Sequence, residues 1–383
     1  MTKPTIMTVY GTRPEAVKLA PLIQAIDGDP DVESSIVVTG QHREMLQQVN
    51  DIFGIEPHVN LDVFEPGQGL NQLAAKVFER FDPIMAEVNP DAVLVQGDTT
   101  TVATVAVASF YRSIPVVHLE AGLRSHNILS PFPEEANRKI ATQVSSLHLA
   151  PTQLSKKNLV AENVDPDAIV VTGNTVIDAL LYAVNQPHQT QVSALDRVLT
   201  SGRRIILAST HRRENWGEPM VRIAQALRHL AQAYADHVVV LPMHTNPKVR
   251  QSLTPHLEDI DNVVLIEPLG YQDFTALLAR SHIVITDSGG VQEEAPSLGK
   301  PVLVLRDNTE RPEAVDAGTV RLVGTSVDEI ISQATILLDD EPTYLAMARA
   351  VNPYGDGEAT VRSLAAIKHL LGMGKREPEF NPK

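Results

Sequence analysis

The sequence predicts an α/β protein made of two similar halves, and three observations support this. Short β-branched apolar runs alternate with amphipathic stretches, which is typical of mostly parallel sheets covered by helices on both faces. The alternation restarts after residue 185. With 383 residues, the chain also exceeds the roughly 250–300 residues that a single hydrophobic core usually supports.

In the first half, a Gly turn follows the first apolar run, and Pro14 is a favoured first helical residue. Further helices are predicted from about Arg43 and over Thr101–Tyr111. The predicted strands are Thr5–Tyr10, Ile36–Thr39, Ala92–Val95, Val116–Leu119 and Ile169–Thr172.

In the second half, Pro219 opens a helix that runs to about Ala233. The polar stretch 186–200 is predicted to be irregular. The tail 374–383 is predicted to be frayed, because it is rich in Pro and charged residues. The predicted strands are Arg204–Thr210, His237–Leu241, Val263–Ile266, Ile283–Thr286 and Val302–Leu305.

Composition excludes several classes of function. The formal charge of −15 disfavours non-specific nucleic-acid binding, which needs a basic surface. The absence of cysteine excludes disulfides, a thiolate nucleophile and Cys-ligated metal centres. The N-terminal apolar run is too short for a signal peptide, and no apolar stretch approaches ~18 residues, so we expect a cytoplasmic protein without membrane spans.

Two strand–helix turns have the character of phosphate sites. The first runs from Gly11 to Lys18, where free backbone N–H groups and a helix dipole meet Arg13 and Lys18. Alternatively it is a tight turn with two solvated cations. The second is Asp287–Pro296, where Ser288, Gly289 and Gly290 precede a helix carrying Glu294, an acceptor suited to ribose hydroxyls. Two such turns favour a nucleoside diphosphate ligand.

Three acidic residues follow predicted strands of the first half: Asp98, Glu120 and Glu134. Since ligands of open α/β sheets bind outside the carboxyl ends of the strands, an acid/base cluster is expected there. Each residue also has a structural alternative. Asp98 could cap a helix, Glu120 could pair with a core arginine, and Glu134 could face Arg138 one turn along a helix.

Histidines follow two strands of the second half. His211 stands beside Arg212 and Arg213, a grouping that suits phosphate or leaving-group contact, and His244 follows the next strand. No close His pair has metal-ligand spacing with a carboxylate, so no metal is expected.

Taken together, these motifs resemble the bacterial non-hydrolysing UDP-N-acetylglucosamine 2-epimerases over nearly the whole chain. The matching segments are Gly11–Ala16, Gln41–Met45, Gly97–Asp98, Glu120–Arg124, Pro133–Glu135, Gly173–Thr175, His211–Glu214, Asp287–Pro296, Arg306–Glu313 and Asn352–Gly357.

The resemblance implies a GT-B architecture, in which two Rossmann-like domains face a central cleft. The expected N-terminal domain is 1–173, with a C-terminal helix at about 361–372 packing back on it. The expected UDP-binding domain is 174–360, followed by a frayed tail at 373–383. The family is typically dimeric and uses no metal or nicotinamide cofactor.

The implied reaction is reversible 2-epimerisation of UDP-N-acetylglucosamine to UDP-N-acetylmannosamine, through elimination of UDP to a bound 2-acetamidoglucal and re-addition. It would supply N-acetylmannosamine units for surface polysaccharide or cell-wall linkage synthesis. By motif, the residues that match catalytic positions are Asp98, Glu120, Glu134 and His211. Those that match substrate or UDP contacts are Arg13, Lys18, Arg138, Phe274, Ser288, Gly289, Gly290, Glu294 and Arg311.

The resemblance also implies a second UDP-N-acetylglucosamine, bound as an allosteric activator. The matching residues are Gln41, His42, Gln68, Arg212 and His244. This chain reads Pro66-Gly67-Gln68-Gly69 where some members carry an arginine. It also has Gln96 where a histidine is common, a departure interpreted as lying outside the chemistry.

Three rival functions are a hydrolysing 2-epimerase, a GT-B glycosyltransferase that needs an acceptor, and a silent sugar-nucleotide sensor. The motif pattern disfavours the hydrolysing epimerase, and the cluster of three acids disfavours the glycosyltransferase. Because all three acids are present, a silent sensor is also disfavoured.

Overall fold

The structure is a computed structural model that describes residues 3–40, 43–65 and 67–382, with the backbone alone at 43–45. The chain divides into two compact units. Unit 1 contains the described residues up to Tyr182 together with Tyr354–Asn381, and unit 2 contains Ala183–Pro353.

Unit 1 alternates strands and helices, and its sheet has the order β3-β2-β1-β4-β5-β6-β7 with every pairing parallel. The central strands are buried throughout, as expected for apolar β-branched runs covered on both faces. The elements are β1 (Thr5–Tyr10), α1 (Arg13–Gly28), β2 (Glu33–Val38), α2 (Arg43–Phe53), β3 (Val59–Asn60), α3 (Leu70–Val88), β4 (Ala92–Gln96), α4 (Thr100–Tyr111), β5 (Val116–Leu119), α5 (Glu134–Val144), β6 (Leu147–Ala150), α6 (Gln153–Ala161), β7 (Ile169–Val171) and α7 (Thr175–Asn185).

Unit 2 repeats this plan with a parallel sheet of order β10-β9-β8-β11-β12-β13. The chain then re-enters unit 1, where α16 is the last helix. The elements are α8 (Ser193–Thr200), β8 (Arg204–Ser209), α9 (Glu218–Ala233), β9 (His237–Pro242), α10 (Pro247–Leu257), β10 (Val263–Ile266), α11 (Tyr271–Arg280), β11 (Ser281–Thr286), α12 (Gly289–Ser297), β12 (Val302–Val304), α13 (Pro312–Asp316), β13 (Val320–Leu322), α14 (Val327–Asp339), α15 (Glu341–Ala348) and α16 (Ala359–Leu370).

These two parallel-sheet units confirm the predicted α/β class with two Rossmann-like domains. In each sheet the strand order reverses once, between β1 and β4 in unit 1 and between β8 and β11 in unit 2. Such a reversal opens a crevice at the carboxyl ends of the two strands, which is where ligands of this fold class bind. Within the described ranges, no helix combines the length and hydropathy of a transmembrane span.

The division between the units differs from the expected 173/174 and 360 boundaries. Residues 174–182 and 354–360 belong to unit 1. Asn174 N donates to Tyr354 O at 2.7 Å, and Thr175 Oγ1 donates to Lys18 O at 2.6 Å. Tyr182 stacks on Phe53 with ring centroids 4.9 Å apart. These contacts hold most of α7 on unit 1.

Two other expectations were wrong. The stretch expected to be irregular contains α8, because Leu195 and Val198, three residues apart, are both buried. The tail is docked rather than frayed at Phe380, whose side chain is buried and whose N–H donates to Val171 O at 2.8 Å. Burial of this aromatic ring on unit 1 outweighs the flexibility that the flanking Pro and charged residues indicate.

Candidate active site residues in the two units

Three neighbouring strands of unit 1 end at the predicted acidic cluster. β1, β4 and β5 lie side by side, and Gly11, Gly97 and Glu120 are the residues that directly follow them. Because parallel strands end at the same edge of the sheet, the side chains that follow them meet there.

Glu120 is the best-anchored of the three acids. Its backbone is left-handed, with φ +63°, and its side chain is only 7% exposed. Its carboxylate accepts hydrogen bonds from Lys18 Nζ at 2.5 and 2.7 Å, Gln96 Nε2 at 2.5 Å and Asn174 Nδ2 at 3.0 Å. The cationic partner is therefore a lysine from α1 and not the core arginine considered as an alternative. Gln96, which sequence reasoning placed outside the chemistry, contacts this acid directly.

Asp98 lies at the end of β4 and pairs with Arg138, whose Nη2 is 3.1 Å from Asp98 Oδ2. Burial raises the pKa of Asp98, Arg138 opposes this, and the charge of Glu120 adds to the rise. Asp98 is not the helix cap considered as an alternative, because Thr99 Oγ1 accepts the Val102 N–H at the start of α4.

The backbone around Asp98 is fixed from two sides. Asn137 Nδ2 donates to Asp98 O at 2.9 Å. His118 Nε2 lies 2.7 Å from Gly97 O, and its Nδ1 has no partner among the described residues, so we assign the proton to Nε2. Burial lowers the pKa of His118 to about 4, which keeps the ring neutral and able to donate this bond.

Glu134 begins α5 and is partly buried. The contact with Arg138 that was considered as a structural alternative is not formed, because Arg138 pairs with Asp98 and, at 3.3 Å, with the buried Glu135. Glu135 in turn accepts the Ser125 N–H at 3.1 Å. Over the described chain, Glu134 has no hydrogen-bond or ion-pair partner, and its charge contributes to raising the pKa of Asp98.

The turn after β1 is not an open anion site. Glu15 Oε2 accepts the N–H groups of Gly11 at 3.1 Å and Thr12 at 2.6 Å. Its other oxygen accepts from Thr99 Oγ1 at 2.8 Å. The two amides expected to be free are thus already bonded. Arg13, the first residue of α1, is partly exposed and forms no ion pair with the described residues, so it remains the available cation of this turn.

In unit 2, Asp287 organises the loop after β8. This fully buried carboxylate follows β11 and accepts from Thr210 Oγ1 at 2.7 Å, from the N–H groups of His211 and Arg212 at 3.0 Å each, and from Asn215 Nδ2 at 3.0 Å. Four donors on one buried group fix the path of the loop that presents His211.

His211 and His244 lie together. Their rings stack with centroids 5.7 Å apart, and the His211 side chain remains 42% exposed. Burial lowers the pKa of His211, although Asp287 opposes the shift. The Nε of Arg212 is buried and has no hydrogen-bond partner in the part of the chain described.

The turn after β11 carries the remaining predicted phosphate ligands. Ser288 precedes α12, and its N–H donates to Thr286 Oγ1 at 3.0 Å. A Cβ on Gly289 would lie 2.6 Å from Arg311 Nη1, whereas a Cβ on Gly290 would meet nothing within 4 Å. Arg311 Nε donates to the buried Glu293 at 2.5 Å. The absence of a side chain at Gly289 therefore lets Arg311 lie against the turn.

The other predicted residues are more scattered. Glu294 is partly buried on α12, and Phe274 is partly buried on α11. Gln68 lies in the loop before α3, where its Nε2 donates to Val63 O at 3.1 Å. Gln41 and His42 fall outside the described residues.

Unit 1 thus brings together Asp98, Glu120, Glu134, Lys18 and Arg138, and unit 2 brings together His211, Arg212 and His244. Sequence reasoning missed four residues that hold these groups, namely Glu15, Gln96, Asn174 and Asp287. A signal existed for Gln96 and Asp287, which end or directly follow a strand. Asn174 lies in the Gly173–Thr175 segment that resembles the family, but no sequence pattern indicated its contact with Glu120, which spans 54 positions.

Two Rossmann-like units, with acids at the carboxyl edge of one sheet and Arg, His and a Ser-Gly-Gly turn at that of the other, are typical of nucleotide-sugar enzymes of GT-B type. Comparison with known proteins narrows this class. The family model for UDP-N-acetylglucosamine 2-epimerase matches residues 24–368.

The relatives agree with the family model. The UDP-N-acetylglucosamine 2-epimerase of Escherichia coli strain K12 is 48% identical over 369 residues, which cover 95% of this chain and 98% of that protein. A crystal structure of a UDP-N-acetylglucosamine 2-epimerase matches with a TM-score of 0.92 and 45% identity, covering 100% of both chains. The Neisseria meningitidis UDP-GlcNAc 2-epimerase bound to UDP-GlcNAc matches with a TM-score of 0.84 and 43% identity, covering 96% of this chain and 100% of that one.

The chain belongs to the UDP-N-acetylglucosamine 2-epimerase family. This confirms the resemblance seen in the sequence, and with it the expectation of an isomerase.

Proposed function

We propose that this protein interconverts UDP-N-acetylglucosamine and UDP-N-acetylmannosamine by reversible epimerisation at carbon 2. The observation that carries the proposal is the cluster of Asp98, Glu120 and Glu134 at one sheet edge, in a chain of this family. Carboxylates in different environments suit a reaction in which one group removes a proton and another returns one.

The chemistry explains why such a cluster is needed. The hydrogen at carbon 2 has no adjacent carbonyl, so direct deprotonation is unfavourable. We propose that the C1–O bond breaks first and its electron pair leaves with UDP, which gives carbon 1 oxocarbenium character. Loss of the carbon 2 proton to a carboxylate then forms 2-acetamidoglucal. Protonation on the opposite face and return of UDP complete the reaction.

The environments of the carboxylates support different roles. Lys18, Gln96 and Asn174 donate hydrogen bonds to the Glu120 carboxylate. These bonds stabilise its ionised form and suit a proton acceptor. The raised pKa of Asp98 suits a group that carries a proton. Glu134, which forms no pair within the described chain, is a third proton-transfer group in this proposal.

The proposed UDP contacts are the cationic side chains and strand–helix turns described above. In unit 1 we propose Arg13, Lys18 and Arg138 as substrate or UDP contacts. In unit 2 we propose Arg311, the Ser288–Gly290 turn and His211, whose lowered pKa favours a neutral ring at neutral pH. Glu294 would accept from the ribose hydroxyls, and Phe274 would flank the uracil. No metal or nicotinamide takes part in the proposed route.

A second UDP-N-acetylglucosamine is proposed as an allosteric activator that contacts Gln41, His42, Gln68, Arg212 and His244. The buried, unpartnered Nε of Arg212 supports an additional acceptor at that position. We further propose a cytoplasmic homodimer that supplies N-acetylmannosamine units for surface polysaccharide or cell-wall linkage synthesis.

Proton NMR in heavy water tests the reaction directly. Purified protein, treated with EDTA, is incubated with UDP-N-acetylglucosamine and no acceptor. Appearance of UDP-N-acetylmannosamine with deuterium at carbon 2 is the expected result. Release of UDP and free N-acetylmannosamine would instead indicate hydrolysis. An unchanged spectrum would refute the proposed activity in favour of a transferase or a sensor.

A further inference from the structure

The Glu120 carboxylate is held by donors from three separate segments of unit 1. Lys18 comes from α1, Gln96 from the end of β4, and Asn174 from the turn after β7. Each oxygen receives Lys18 and one amide, so four hydrogen bonds occupy the four lone-pair sites of an ionised carboxylate. A protonated carboxyl group would have to give up one of these donors.

The orientation of the Asn174 amide follows from its contacts. Its Oδ1 accepts the Val176 N–H at 3.1 Å at the start of α7, so its Nδ2 must be the atom that faces Glu120. The side chain therefore serves α7 as a helix cap with one atom and Glu120 as a donor with the other.

The backbone of Asn174 is fixed as well. Its N–H donates to Tyr354 O at 2.7 Å, in the segment where the chain re-enters unit 1. The preceding Gly173 has φ +85°, and a Cβ there would lie 3.4 Å from the Cα of Gly355. Two chain segments thus pack backbone against backbone at the residue whose amide reaches Glu120.

We propose that Asn174 and Gln96 are positioning residues that hold Glu120 as an ionised carboxylate in one orientation. This inference rests on the proposed function, in which Glu120 accepts a proton. Neither amide titrates, so their hydrogen bonds persist across the pH range in which carboxylates change charge. The proton-accepting state of Glu120 is consequently set by uncharged donors as well as by Lys18.

Three charged or titratable groups among the described residues act on Glu120. Lys18 is bonded to it, Asp98 follows the adjacent strand β4, and His118 lies on its own strand β5. Burial keeps His118 neutral, with a pKa lowered to about 4. A change at Asn174 therefore alters the charge balance of Glu120 without replacing any of these groups.

Asn174→Asp is the sharpest test, because aspartate caps a helix as well as asparagine does but offers no N–H to Glu120. It also places a second carboxylate beside the first. We expect turnover at neutral pH to fall about ten-fold or more, and the acidic limb of the kcat profile to move upward by about one pH unit. The sign follows because a neighbouring negative charge makes Glu120 harder to ionise. The same repulsion should lower the Tm by a few °C at neutral pH, whereas the Kd for UDP should stay near the wild-type value.

Asn174→Ser and Asn158→Asp are the companion variants. Asn174→Ser keeps an oxygen for the helix cap and removes the amide donor without adding charge. The acidic limb of its kcat profile should therefore move upward by less than that of Asn174→Asp. Asn158 Nδ2 donates to Gly122 O at 3.0 Å rather than to the Glu120 carboxylate, so Asn158→Asp should leave the limb in place.

Glu120→Gln is measured in parallel so that two failures can be told apart. Activity in the wild type, none in Glu120→Gln and an unshifted limb in Asn174→Asp would overturn the inference alone. A lower Tm in Asn174→Asp with an unshifted limb would also overturn it and assign Asn174 a purely structural role. A wild type that forms no UDP-N-acetylmannosamine would overturn the proposed function itself.

Discussion

Removal of the Asp287 carboxylate should destabilise the loop that carries His211. In Asp287→Ala, the hydroxyl of Thr210, the amides of His211 and Arg212, and the side-chain amide of Asn215 all lose their acceptor. Each unsatisfied buried donor costs about 1–3 kcal/mol. Because the loop is partly exposed at His211, water can replace some of these bonds, and we expect a total loss of about 3–5 kcal/mol.

A domain of about 150–250 residues loses roughly 2–4 °C of Tm per kcal/mol, so Asp287→Ala should unfold about 6–20 °C below the wild type. Differential scanning calorimetry measures this shift. Isothermal calorimetry with UDP should show weaker binding, since the loop presents both His211 and Arg212. Asp287→Asn keeps the shape of the side chain but loses its charge. Its Tm should lie between those of the wild type and Asp287→Ala.

Asp261→Asn provides the matched control, because Asp261 is an exposed acid of the same unit. Its Tm should lie within about 1–2 °C of the wild type, as expected for a surface substitution. If Asp287→Ala unfolded at the same temperature as this control, the four hydrogen bonds would not stabilise the fold, and the reasoning would be refuted.

Three further predictions follow from other carboxylates and cations. Asp98→Asn should bind UDP normally by calorimetry yet lose most turnover, and unchanged turnover would remove Asp98 from the mechanism. Arg13→Ala should weaken UDP binding while the Tm stays constant, and wild-type affinity would contradict the phosphate assignment. Hydrogen bonds from Arg124 and then Lys139 lower the pKa of Glu162 from 4.5 to about 2. Its contribution, about 1–2 kcal/mol after solvent screening, should be complete above pH 4.5 and disappear as the pH falls towards 2. The Tm difference between wild type and Glu162→Gln should therefore shrink between pH 7 and pH 3, and a constant difference would refute it.

The sequence was sufficient to locate most strands and the turns that follow them. Apolar β-branched runs end abruptly at polar residues, and parallel pairing then brings those residues to one edge, as for Asp98 and Glu120. Three short strands were not predicted, namely β3, β6 and β13, which have two, four and three residues and offer little or no periodicity.

Which side chains pair with each other was harder to predict than where each side chain lies in the fold. Lys18 and Glu120 are 102 residues apart, and each had a plausible role alone, one as a phosphate ligand and one as an acid. Their pairing depends on how α1 packs beside the end of β5, which no local pattern encodes. The docking of Phe380 on β7 was hidden for the same reason, because its partners lie some 200 residues earlier in the chain.

In both units a buried carboxylate connects the two strands between which the strand order reverses. In unit 1, Glu15 binds the amides after β1 and the Thr99 hydroxyl after β4. In unit 2, Asp287 follows β11, which corresponds to β4, and binds the amides after β8, which corresponds to β1. Each carboxylate therefore links the two strands that flank the crevice. In unit 1 the carboxylate follows the first strand of the pair, and in unit 2 it follows the second. Since these internal anions already occupy the backbone amides that a phosphate would use, the anion-binding capacity of each turn depends on side chains such as Arg13 and Arg212 that lie next to it.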